Sequence, residues 1–98
     1  MSESAGRRSY LVECYWPGVN EQKLGVTVGR ARSAAEELRR QGRDLRFVGS
    51  ILVPADETVF WLFDGDEADV RAVSEQAGLA FERVLESLRI GGTEWREV

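Results

Sequence analysis

Any chemistry in this chain would have to be built around Glu13, Cys14, Tyr15, Ser50 and Trp61, because histidine, which does most such work, is absent. Without imidazole, a serine or cysteine nucleophile loses its usual base and the commonest transition-metal ligand is missing. Cys14 is the single cysteine, so neither an intramolecular disulfide nor a Cys-x-x-Cys metal or redox motif can form. It lies in a β-type run and reads as a buried structural thiol. Glu13 is the more chemical residue. Strand alternation places it with Leu11 and Tyr15, opposite Tyr10, Val12, Cys14 and Trp16. A carboxylate among aromatic side chains could bind a cation or accept a proton. The plainer alternative is an ion pair with an arginine of a neighbouring strand, Arg46 or Arg89.

The run from Thr58 to Phe63 carries apolar residues at both parities, so either Phe60 and Leu62 or Trp61 and its alternates must face away from any covering helices. The expectation is that Glu13, Tyr15, Ser50 and Trp61 line that open face as ligand-binding residues. Exposed aromatics on a sheet mark a dimer seam or a small apolar pocket. The acidic group Asp64, Asp66, Glu67 and Asp69 lacks the Asp-x-Asp-x-Asp-Gly loop and distant glutamate of a calcium site, and reads as helix N-terminal capping. Arg39, Arg40 and Arg43 are interspersed with Glu36, Glu37 and Asp44. With 13 basic against 17 acidic residues and a net charge of −4, they suit a solvated helix end better than a grip on phosphates. The segment Glu57–Phe63 also lacks the basic residue, glycine and spaced aromatics of an RNA-recognition strand, so no nucleic-acid partner is expected.

The elements that must position these residues follow from patterning. Ninety-eight residues, 43% hydrophobic and 31% charged, make one compact domain. Tyr10–Trp16 is a strand stopped by Pro17-Gly18. Asn20 is a helix N-cap flanked by a Val19/Leu24 staple, and Leu24, Val28, Ala31, Ala35 and Leu38 form the buried stripe up to Gly42. Gly25 and Gly29 inside that helix suggest a close backbone approach. Leu45–Val53 and Thr58–Phe63 form a hairpin, with Gly49 marking a bulge or a close neighbour. Asp66 caps a second helix with stripe Val70, Val73 and Ala77, ended by Gly78. The segment Val84–Ile90 fits either a helix or an edge strand. The strand is preferred because it completes a βαββαβ order with both helices on one sheet face. Residues 1–8 read as a disordered tail, 9–90 as the domain and 91–98 as a second tail, whose Trp95 would dock on the domain or on a partner. No run approaches the roughly 18 apolar residues of a membrane span and no signal-type segment is present, so a cytoplasmic protein is expected, without a membrane partner.

Together, Tyr10–Pro17, the Phe60–Phe63 strand with Asp64 after it, and Ala77–Val84 resemble a small bacterial family of unknown function often named nickel-binding-protein-like. The resemblance spans roughly residues 9–90. It implies an α+β, ferredoxin-like βαββαβ domain with a four-stranded antiparallel sheet, pairing as a homodimer into a dimeric α/β barrel. Its open sheet faces would enclose the space between subunits, where a small apolar or aromatic ligand could sit. No metal site carries over residue by residue, since nickel favours imidazole, thiolate or planar nitrogen donors. The expectation is therefore a non-catalytic domain without cofactors. Related barrels include cofactor-independent monooxygenases and cyclases acting on polyketide-like aromatic substrates; in that alternative Glu13 would be the base and Tyr15 or Trp61 the ring-binding surface.

Overall fold

The structure is a computed structural model and describes residues 8–88 and 90. Residues 1–7 of the first tail, the whole second tail with Trp95, and also Arg89 lie outside the described residues. In chain order the elements are β1 (Ser9–Tyr15), α1 (Glu21–Arg40), β2 (Arg46–Val53), β3 (Thr58–Asp64), α2 (Glu67–Gln76) and β4 (Arg83–Ser87), with a 3₁₀ turn at Pro54–Asp56. The four strands form one antiparallel sheet in the order β2-β3-β1-β4. This is the expected α+β, ferredoxin-like arrangement. The final strand is shorter than its apolar run, because Leu88 and Ile90 extend past the last paired residue into solvent.

Helix α1 starts where its sequence dictates: the Asn20 carboxamide oxygen accepts from the Lys23 backbone N–H at 2.8 Å, relieving one of the orphan donors of the first turn. Its buried side is Thr27, Ala31, Ala34, Ala35 and Leu38. Gly25 and Gly29 do not mark a close approach. They lie on the exposed side of α1, with nothing within 4 Å of where a Cβ would be. The close approach is at Gly65 instead, where a Cβ would come within 3.0 Å of the Asp44 carbonyl and of Leu45 Cδ1, and φ is +149°. Asp66 precedes α2 but makes no side-chain cap. Asp69, one turn in, is buried and takes the Arg43 guanidinium at 2.7 Å, joining the end of α1 to the start of α2.

Both helices pack on the face of β1 that carries Tyr10, Val12 and Cys14, and the core comprises these with Ala31, Leu38, Leu45, Val59, Trp61, Phe63, Val70 and Val73. Directly opposed residues of antiparallel strands share a face. Val12 therefore puts Trp61 and Val84 on the covered side, while Leu11 puts Leu62 and Leu85 on the open side. The β2–β3 register shifts between Phe47 and Gly49, so Val48 is an inserted bulge residue. The bulge expected at Gly49 is present, but without a close neighbour. Beyond the 3₁₀ turn, Glu57 adopts a left-handed conformation at φ 50°. Its carbonyl accepts from Trp16 N–H at 2.7 Å and its carboxylate from Gly18 N–H at 2.9 Å.

Candidate functional site

The four residues expected to share one space divide between the two faces of the sheet. Glu13 is on the open face, half-buried, with Oε1 accepting from Arg83 Nε at 2.7 Å. The ion pair is therefore the observed state, but its partner is Arg83, directly across on β4, rather than Arg46, which lies on β2 with β3 intervening. Tyr15, at the end of β1, is 53% exposed. Trp61 is fully buried on the covered face, and Ser50 opposes it there. The placement of Ser50 and Trp61 on the open face is thus corrected. A ligand enclosed between two open faces could meet Glu13 and Tyr15, but not the other two.

Tyr15 and Trp61 do border a common space elsewhere. A cavity of about 340 Å³ lies on the helix side of the sheet, lined by the end of β1 (Cys14 to Pro17), Thr27 and Arg30 of α1, Trp61, and the Gly78–Ala80 turn after α2. Three of its lining residues, Thr27, Gly78 and Ala80, are small. The sequence reading missed Thr27, Arg30 and the Gly78–Ala80 turn. A signal was present in Thr27, a polar residue on the inward stripe between Leu24 and Ala31, where a larger apolar side chain would have filled the space.

Electrostatically the cavity contains one cationic side chain and no acidic one. Arg30 Nε donates to the Ala77 carbonyl at 3.2 Å, leaving the rest of the guanidinium fork at the lining. Thr27 Oγ1 donates to the Lys23 carbonyl at 3.5 Å. Burial pushes the Cys14 thiol up to about 11, tempered by the neighbouring Trp61 indole. That N–H nonetheless meets no acceptor with hydrogen-bond geometry, and Trp61 Nε1 is a buried donor without a partner. A thiol held neutral to that degree is neither a nucleophile nor a ready metal ligand at neutral pH.

The same observation tests nickel. Cys14 is protonated on the covered face, Glu13 is tied to Arg83 on the open face, and no group of three His, Cys, Asp or Glu converges among the described residues. The residues present do not fit the metal. A second hollow of about 320 Å³, between α1 and β2, sets Glu36 among Arg32, Arg39 and Arg46, with the Arg32 guanidinium 5.8 Å from the Phe47 ring centre. Three arginines against one glutamate give it a net positive lining.

Sheet order and covered-face cavity define a small ferredoxin-like α+β domain with a pocket between its layers. No family model and no curated protein matches the chain. Among solved structures, the Streptomyces coelicolor A3(2) protein SCO4226 is similar, with a TM-score of 0.71 and 18% identity over 85% of this chain and 99% of that one. At that identity the likeness shows a shared fold. No helix among the described residues is long and apolar enough to cross a membrane.

Proposed function

We propose that this chain is a non-catalytic domain that works as a homodimer, joined through the open faces of its two sheets, in the manner of the bacterial family its sequence resembles. The observation that carries this reading is the open face itself. Leu85, Leu11 and Leu62 run in register across β4, β1 and β3, and Phe60 and Ile51 continue the patch towards β2. Leu62 is buried yet stands outside the core cluster, and Ile51 is 43% exposed. Of the charges on this face, Glu13 and Arg83 neutralise each other, and Asp64, at its edge, accepts from the Ser9 hydroxyl. Four strands of about seven residues cover roughly 24 by 19 Å, or about 450 Å² in plan, which is the upper bound for the apolar patch on this face. A single reduced thiol suits the cytoplasm.

The enzymatic alternative loses Trp61, which lies on the opposite face from Glu13, and is left with Tyr15 as the ring-binding surface beside a Glu13 that is ion-paired to Arg83. Sedimentation of the full chain and of Ile51→Asp tests the dimer. The expected result is a dimer for the natural sequence and a folded monomer, by circular dichroism, for the variant. A monomeric natural protein, or a variant that remains dimeric, overturns the reading.

A further inference from the structure

The open face is drier at one end than at the other, and its own helices are not the cause. Along β1 the residues on this face run from Ser9, 6% exposed, through half-buried Leu11 and Glu13 to exposed Tyr15. Along β3 they run from half-buried Thr58 and Phe60 to Leu62 at 3% and Asp64 at 5%. Ser9 opposes Asp64 and Tyr15 opposes Thr58, so both strands dry towards the same end. On β4, Ser87 opposes Ser9, and its hydroxyl oxygen is buried and lacks a hydrogen-bond partner. An uncovered sheet face shows the reverse, with its driest residues in the middle. The Ser9–Asp64 hydrogen bond does not shelter Leu62, whose opposite neighbours are Leu11 and Gly49, the latter without a side chain. Both helices lie on the far side, and the connections at this end, 41–45 and Gly65-Asp66, lead to those helices.

We propose that residues 93–98 of the same chain fold back over this end of the open face, with the Trp95 ring on Leu62 beside the Ser87, Ser9 and Asp64 row. The chain leaves β4 at Ser87, within that row, and Leu88 and Ile90 stand in solvent beyond it. Gly91-Gly92 then gives the backbone the freedom that a reversal needs. The five residues from Ile90 to Trp95 reach about 17 Å, against about 10 Å for the two strand spacings between β4 and β3. Trp95 and Val98 are the apolar residues that follow, and one tryptophan buries about 150–250 Å². The opening residues 1–7 enter β1 at the same end, but Met1 is their only large apolar side chain. The burial is a property of one chain, so the cover is not supplied by a second copy. Leu11, Leu85, Phe60 and Ile51 remain for the dimer, on which the tail contact itself does not rest.

Methyl-resolved spectra of the full chain, with Trp95 identified from Trp95→Phe and Leu62 from Leu62→Val, test the assignment. The Trp95 ring protons should show nuclear Overhauser contacts to the Leu62 methyls, which its ring current should move upfield. Trp95→Ser should abolish the contacts and the upfield shift together. Absence of those contacts in the natural chain, or Leu62 signals unmoved by Trp95→Ser, overturns the proposal. An equal mixture of methyl-labelled Trp95→Ser chain and unlabelled natural chain, refolded together, separates the two sources of the cover. Leu62 of the labelled chain should show no contact to a tryptophan there; contacts restored by the natural chain would assign the tail to the partner and overturn its placement within one subunit. A natural chain that sediments as a monomer yet keeps the contacts supports the tail and overturns the dimer alone.

Discussion

Alternate residues of one strand meet two different solvents in this molecule. Along β1, Tyr10, Val12 and Cys14 are buried against two helices, while Leu11 and Glu13 stay half-exposed and Tyr15 more than half. The covered face is complete as an apolar core yet keeps an unmatched indole donor and an unfilled space. Among the described residues the open face has Glu13 paired with Arg83 and its apolar residues in register, and neither helix packs on it. A sheet with helices on one side can finish only one of its faces within a chain of this length, and the other must be left polar or be finished by association. Here β3 is apolar on both sides, which favours association. The covered face keeps a space beside its core, and the open face keeps apolar residues outside it.

That contrast can be broken most directly by two substitutions in β3. Phe63→Ala, on the covered face, should cost about 3–5 kcal/mol in urea unfolding. Phe60→Ala, three residues away and half-exposed on the open face, should cost less than half as much, with a loss that grows as protein concentration and dimer population rise. Equal losses, independent of concentration, would mean that the open face is already closed within one subunit.

A smaller effect sharpens the picture of the covered side. The Cys14 thiol, held at about 11 in the folded chain against an ordinary value of 9.0, binds its proton more tightly when native. Its contribution to stability is therefore fully present below pH 9 and is lost as pH rises towards 11. Relative to Cys14→Ala, the natural chain should lose about 2–3 kcal/mol across that window, and a gap that does not change with pH would contradict the burial argument. Smallest and opposite in sign are Gly25→Ala and Gly29→Ala, on the outer side of α1, each expected to raise stability by about 0.5–1 kcal/mol. A loss on thermal melting would reveal something packed against that outer side.

Much of the fold could be read from particular residues. Asn20 and Gly42 bracket α1, Gly78 follows α2, and the alternation of Tyr10, Val12 and Cys14 identified the buried side of β1. The faces of β2 and β3 were less legible, for two physical reasons. In β3 the period-two signal vanishes, because Val59, Trp61 and Phe63 are no more apolar than Phe60 and Leu62. In β2 the bulge at Val48 resets the count, so that Phe47 and Ser50, of opposite parity, both face the helices. The cavity escaped for a related reason. It is made by smallness at Thr27, Gly78 and Ala80, brought together from segments far apart in the chain, and a missing volume leaves only a faint mark on a hydrophobic pattern.

Glu57 ties the cavity wall to a distant turn. Through its carbonyl and its carboxylate, this one left-handed residue of the β2–β3 connection holds the amides of Trp16 and Gly18, about forty residues earlier in the chain. Hydrogen exchange would see these positions as a single unit: the protons on Trp16 and Gly18 become free only when the turn around Glu57 lets go. The segment that leads from β1 past the pocket thus inherits its lifetime from the hairpin. Any opening of the chain beside Trp16 is then tied, in part, to how often a turn about forty residues later in the sequence lets go.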